Sequence, residues 1–187
     1  MRWTYGKVLS TLLLGLAALA SPGCLVVHLA PLYDDRSIEW DDQLLGTWEN
    51  EEDRVTLVVT KGEWRSYSIA WRDTFGEQRV TGHLTRIGQD RFMDLTPAVG
   101  VDHGPLLVVA HGSCWIELAG DTLTVAALDY DWLSSRPQRP LLPAHAFDER
   151  ENLIITSSTA QLRRWLQRNI ARQQLFAPPM TFVRTRG

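Results

Sequence analysis

Alternation of apolar and polar residues dominates the chain between residues 44 and 156 and predicts a β domain. Val55, Leu57 and Val59 would share one face of a strand, because successive side chains in a strand point to opposite faces. Further strand candidates are 66–71, 80–85, 91–95, 106–118, 122–130 and 152–156. Glycine-containing turn signals separate them, at Gly62, Gly76, Gly88 and Gly120. Many short strands joined by tight turns are typical of an antiparallel sandwich or barrel.

One segment, residues 158–173, follows a helical period instead. Its apolar residues recur at the spacing of one helix face: Leu162, Trp165, Leu166 and Ile170. Ser158 and Gln161 form a capping-box signature at its start. The opposite face carries three arginines: Arg164, Arg168 and Arg172. We expect an amphipathic helix that packs on the outer wall of the sheet, followed by a last strand at 181–184.

The first 23 residues have the organisation of a signal peptide. Arg2 and Lys7 supply a positive n-region, and the uncharged run 8–20 supplies the apolar h-region. That run is shorter than the roughly 20 apolar residues a transmembrane helix needs. The small residues that follow it and precede Cys24 resemble the lipobox of bacterial lipoproteins. The resemblance implies that Cys24 becomes the mature N-terminus and carries a fatty-acyl lipid, such as palmitate, on its sulfur.

Two other outcomes stay open, since lipoproteins usually have Leu where Ser21 stands. Ala18-Leu19-Ala20 fits an ordinary signal peptidase, whose cleavage would release a soluble exported protein. The apolar run could also stay uncleaved as an anchor. Each outcome puts the domain outside the cytoplasm, and the lipid would hold it to a membrane of the cell envelope, facing the periplasm or the exterior. Residues 24–43 would then be a lipidated N-terminus and tether, and 44–187 a single β domain with helix 158–173.

The strand region opens with Gly46-Thr47-Trp48, and a Gly-x-Trp at this place resembles the lipocalin and fatty-acid-binding barrels. The order of strands, then a helix, then a short strand is also similar to lipocalins. The resemblance implies a lipocalin-like barrel or half-open barrel of about eight strands with one C-terminal amphipathic helix; another antiparallel β fold stays open. The stretches CLVVHLAPLYDD, LLGTWEN and STAQLRRWL also resemble bacterial envelope lipoproteins of unknown function.

Charge is unevenly distributed along the chain. Acidic residues crowd the segment 34–53, whereas the residues after Glu151 include six arginines and no acid. The formal net charge is −3, which argues against general nucleic-acid binding. The arginines of helix 158–173 could pair with the acidic segment, or could meet anionic lipid head groups or an envelope protein.

No catalytic constellation emerges from the residues. The chain lacks a Gly-x-Ser-x-Gly elbow and a glycine-rich phosphate loop, and Asp102, His103 and His111 match no metal-site spacing. Cys114 falls on the apolar face of its strand, where a thiol behaves as a small hydrophobe. We therefore predict no enzyme activity, no cofactor and no metal site.

The aromatic residues suggest one possible binding surface. The chain has eight tryptophans, and the candidates for ligand contact or core packing are Trp48, Tyr67, Trp71 and Trp115. Two functions stay open: a barrel that binds a small apolar ligand, or a structural or assembly lipoprotein that works through protein contacts. A cavity of several hundred cubic ångströms would favour the first, and a filled interior the second.

Overall fold

The computed structural model describes residues 25–98, 108–135 and 141–185. The predicted signal peptide, Cys24, Asp102 and His103 lie outside these residues. The strands are β1 Val26–His28, β2 Ile38–Glu39, β3 Gly46–Asn50, β4 Val55–Lys61, β5 Tyr67–Asp73, β6 Gly76–Ile87, β7 Asp90–Pro97, β8 Gly112–Ala119, β9 Thr122–Ala127, β10 His145–Phe147, β11 Leu153–Ile155 and β12 Met180–Arg184. The helices are α1 Tyr130–Ser134 and α2 Thr159–Asn169.

Eight strands close into an antiparallel barrel in the order β6, β5, β4, β3, β12, β9, β8, β7, and β7 pairs back onto β6. Strand β2 adds a short extra edge to β6. The last strand, β12, lies between β3 and β9. The structure thus confirms the predicted fold class, a mainly β chain with an antiparallel barrel of about eight strands and a C-terminal amphipathic helix.

The interior follows the alternation in the sequence. Leu57 of β4 lies opposite Trp71 of β5, and both residues belong to the apolar interior, as do Leu84 and Phe182. Their neighbours along each strand point to the outer face. The alternation that predicted strands at 55–59, 66–71 and 80–85 therefore corresponds to inward and outward faces of β4, β5 and β6.

A second layer covers part of the outer wall. Strand β11 pairs with β1 in parallel and with β10 in antiparallel, and this small sheet shares an apolar core with α1 and α2. Leu162, Trp165 and Leu166 of α2 pack in this core with Ile87 and Phe92 of the barrel. The helix lies on the outer wall, as expected, and its Ser158–Gln161 capping box is present.

Residues 25–43, predicted as a tether, pack on the barrel. Leu32 and Ile38 are buried, and β1 pairs with β11 as one edge of the small sheet. Leu25 is already held, because its N–H donates to Asn152 Oδ1 at 2.8 Å and its carbonyl accepts from Leu153 N at 2.8 Å. We call residues 25–37 the N-terminal strap.

Three predicted boundaries were wrong. Strand β8 begins at Gly112, and Val108 to Ala110 have no regular structure. Strand β9 ends at Ala127, because the Asp129 carboxylate accepts from Trp132 N and caps α1 at the point where the predicted strand ran on. Helix α2 ends at Asn169, whose side-chain amide donates to the Trp165 carbonyl. Among the described residues, no helix has the length and apolar character needed to cross a membrane.

Candidate functional site

The barrel interior was the first candidate site, and it is largely filled. A cavity of about 100 Å³ remains, lined only by apolar residues and the thiol-bearing Cys114. Ligand pockets are usually about 300–1,000 Å³. Burial raises the pKa of the Cys114 thiol to about 12, so this cysteine is a packing residue, as predicted, and a poor nucleophile.

The four candidate aromatic residues divide between the two faces of the barrel wall. Trp48 and Tyr67 are fully buried in the interior, and Trp71 lines the cavity. The Trp48 indole N–H donates to the Leu44 carbonyl at 3.0 Å, and the Tyr67 hydroxyl accepts from Asp41 N at 2.8 Å. Trp115 points to the outer face, where its indole N–H donates to Asp90 at 3.1 Å. These four residues therefore do not form one surface.

The three arginines predicted to face outward are exposed, but only Arg164 and Arg168 lie in α2, because the helix ends at Asn169 and Arg172 lies beyond it. Arg164 and Arg168 also border a groove of about 310 Å³ against residues 141–144. The acidic segment, one of the partners considered for these arginines, pairs elsewhere: Glu39 pairs with Arg86 and Asp41 with Arg91. Among the described residues, no carboxylate lies within ion-pair distance of these three arginines.

Arg163, their neighbour on the helix, has a different role. Its guanidinium donates to the Leu32 carbonyl at 2.7 Å, to Thr85 Oγ1 at 3.0 Å and to the Arg86 carbonyl at 2.7 Å. It therefore joins the strap, α2 and β6 by three charge-assisted hydrogen bonds.

A polar cluster that the sequence did not reveal lies beneath the strap. His28 from β1, Asp94 from β7 and His111 just before β8 each offer a ligand atom, and these atoms lie within 4.8 Å of one another. His28 and His111 form an isolated antiparallel bridge with two backbone hydrogen bonds of 2.9 Å, and their rings stack at 5.4 Å. His28 and Asp94 are fully buried, and His111 is 12% exposed.

Hydrogen bonds set the proton on each imidazole of this cluster. Nδ1 of His28 lies 2.7 Å from the Ala30 carbonyl, which can only accept, so Nδ1 donates. Nδ1 of His111 lies 2.7 Å from Asp94 Oδ1, and the other oxygen of Asp94 accepts from Leu32 N at 2.6 Å. With the protons on Nδ1, both rings keep a lone pair on Nε2. Burial lowers the pKa of His28, with a smaller opposing effect from Asp94, and favours its neutral form.

His83 and Tyr33 complete the surroundings. His83 is paired across the β6–β7 hairpin with Asp94, and its ring stacks on Tyr33 at 4.4 Å. Nδ1 of His83 and Nε2 of His28 are both buried, and neither has a hydrogen-bond partner among the described residues. Buried polar atoms are rarely left without a partner, so each needs an explanation.

No family model matches this chain, and no curated protein or solved structure matches it significantly. Its function is therefore argued from geometry and chemistry. The interior offers little room for a ligand, whereas the strap, α2 and the buried cluster lie together on the outer wall of the barrel.

Proposed function

We propose that this chain is an exported, lipid-anchored protein of the cell envelope whose barrel is a rigid scaffold that acts through its outer surface. The observation that supports this proposal most is the filled interior. Trp48, Tyr67 and Phe182 are fully buried inside the barrel and leave about 100 Å³ of space. That volume is well below the range of typical ligand pockets.

The position of Leu25 supports a close link between anchor and domain. Leu25 is hydrogen-bonded to Asn152 and Leu153, so a lipid on Cys24 would be one residue from the folded layer. A long disordered linker would let the domain move away from the membrane. Here the domain would stay at the membrane surface, where its outer wall meets head groups or other envelope proteins.

A small apolar ligand is the second candidate, and the lining of the cavity favours it. The lining consists of apolar side chains from β4 to β9 and of Leu44, together with Cys114. Empty apolar cavities of about 150 Å³ are known to take up molecules as small as benzene. The ligand would therefore be compact, and a long acyl chain would not fit.

Cell fractionation tests the anchor. Cys24→Ala should move the protein from the membrane fraction to the soluble exported fraction, because the acceptor of the lipid is gone. Cys114→Ala is the matched control. It also removes a thiol, but a buried one, and the protein should stay in the membrane fraction. If Cys24→Ala stays in the membrane and the wild-type N-terminus has no lipid mass, the anchored function is wrong.

Native mass spectrometry of the wild-type protein from its own membrane tests the scaffold role. We expect the mass of the lipidated chain with no additional small molecule. A retained apolar molecule at one per chain would overturn the scaffold role in favour of the second candidate. Gly82→Ala should reduce the retention of such a molecule. A Cβ at Gly82 would lie 2.8 Å from Ile69 and Met93 and would crowd the interior.

A further inference from the structure

We propose that His28, Asp94 and His111 form a binding site for a divalent transition-metal ion of the zinc class. The site joins the strap to the barrel wall, and it is independent of both the lipid anchor and the interior cavity. Two imidazole nitrogens and one carboxylate are a donor set that zinc accepts, with a fourth position left for water or another ligand. Their three ligand atoms already lie within 4.8 Å of one another.

The hydrogen bond of the His28 ring is that of a metal ligand. A ligating histidine almost always donates its other ring N–H to a carboxylate or a backbone carbonyl, which fixes the tautomer and the ring orientation. His28 donates Nδ1–H to the Ala30 carbonyl at 2.7 Å, so its ring offers the Nε2 lone pair to an ion. His111 Nδ1 lies 2.7 Å from Asp94 Oδ1, so an ion bound by both of these atoms would replace the proton between them, which is released to solvent.

The buried Nε2 of His28 is the second, independent observation. This atom is inaccessible to solvent and has no hydrogen-bond partner among the described residues. A neutral imidazole nitrogen in that position loses its hydrogen bond to water and gains nothing in return. An ion bound there would use this lone pair, and the negative charge of Asp94 would offset the charge of the ion.

Backbone hydrogen bonds hold the three ligand residues in place before an ion binds. The His28–His111 bridge fixes the two residues side by side, and Leu32 N holds the second oxygen of Asp94. The 12% exposure of the His111 side chain gives the ion a route to the cluster. Since the ligands come from the strap and the barrel, the bound ion would clamp the strap to the barrel.

The test is zinc binding by the full chain without an affinity tag, in a Cys24→Ser background that removes the competing thiol. Calorimetry should show one Zn²⁺ per chain. His28→Gln and His111→Gln should each weaken binding by about 100-fold or more, since loss of even an orienting partner weakens metal sites about 10–100-fold. His145→Gln is the matched control, because His145 lies in β10 outside the cluster and should leave the affinity unchanged.

Two further measurements keep the proposal falsifiable if a variant fails to fold. Co²⁺ bound to the folded wild type should give a visible absorption spectrum of four- or five-coordinate nitrogen and oxygen ligation. Zn²⁺ should also raise the Tm of the wild type and of His145→Gln, but not of folded His28→Gln. If the wild type binds no Zn²⁺ at millimolar concentration, or if His145→Gln loses binding as His28→Gln does, the proposed site does not exist.

Discussion

The guanidinium of Arg184 lies over the indole of Trp48, with its central carbon 4.0 Å from the ring centre. Arg184 also donates to the Leu45 carbonyl at 2.6 Å and to the Gln43 carbonyl, and it pairs with Asp121 at 3.3 Å. One side chain of β12 therefore covers a buried indole and holds the segment just before β3.

Arg184→Lys should lower the free energy of unfolding by about 1–3 kcal/mol. Lysine keeps the charge but loses the planar fork that reaches two carbonyls and stacks on Trp48. Urea unfolding measures the change, and Val183→Ala is the control, since Val183 is the exposed neighbour on the same strand. Equal stabilities of wild type and Arg184→Lys would show that the contact adds nothing.

Trp48→Ala should cost roughly 3–5 kcal/mol, as for other large buried aromatic residues. Trp48 is fully buried and hydrogen-bonded to Leu44. Trp64→Ala is a matched control, because Trp64 is 61% exposed and should change stability by less than about 0.5 kcal/mol. A cost below about 1 kcal/mol for Trp48→Ala would contradict its place in the core.

Stability should fall as the pH drops below about 6.5, the unperturbed histidine pKa. Burial lowers the pKa values of His28 and His83, so in this range the unfolded chain takes up protons that the folded chain does not. The loss continues until the pH passes the folded pKa values, and above about pH 6.5 the effect vanishes. Metal-free protein should therefore melt at a lower temperature at about pH 5 than at about pH 7.5.

His28→Gln should flatten part of this pH dependence, because it removes one of the two imidazoles whose pKa burial lowers. The comparison uses the difference in Tm between the two pH values rather than Tm itself. If the difference in Tm between the two pH values is as large in His28→Gln as in the wild type, then His28 does not take up a proton on unfolding.

The three exposed arginines of α2 and of the segment that follows it can be tested without the lipid. A triple variant with Gln at Arg164, Arg168 and Arg172 should lose salt-sensitive binding to anionic vesicles, at about 1 kcal/mol per arginine near the surface. Its Tm should not change, because these side chains are exposed and have no ion pair among the described residues. If unlipidated wild type binds no anionic vesicles, this face has no membrane role.

Arg163→Gln should give the opposite result in the same two assays. Its three hydrogen bonds join the strap, α2 and β6, so the variant should have a lower Tm and unchanged vesicle binding. The pair of variants separates the packing role of the helix from its proposed surface role.

Local patterns account for what the sequence predicted correctly. The alternation of apolar and polar residues in β4, β5 and β6 predicts which side chains face the core. This prediction needs only the residues of each strand and no knowledge of the rest of the fold. Helix α2 was predictable because its apolar stripe and its cap at Ser158 are also local. Helix α1 was missed because it is short and begins directly after an alternating strand.

Long-range contacts account for what the sequence did not predict. A tight turn at Gly88 could have placed His83 opposite Asp94, because a hairpin fixes its own register. Nothing local brings His28 to His111, since their pairing depends on how the strap crosses the barrel. The position of β12 between β3 and β9 likewise depends on closure of the whole barrel.

That position of β12 also sets the time at which the protein can fold. Strand β3 is made early and β9 late, yet both wait for Met180–Arg184 to fill the gap between them. Pairing between residues so distant in sequence is slow, because the chain must first lose the entropy of closing a long loop. The barrel therefore cannot close before Met180–Arg184 has been made, and until then β3 and β9 each keep an unpaired edge.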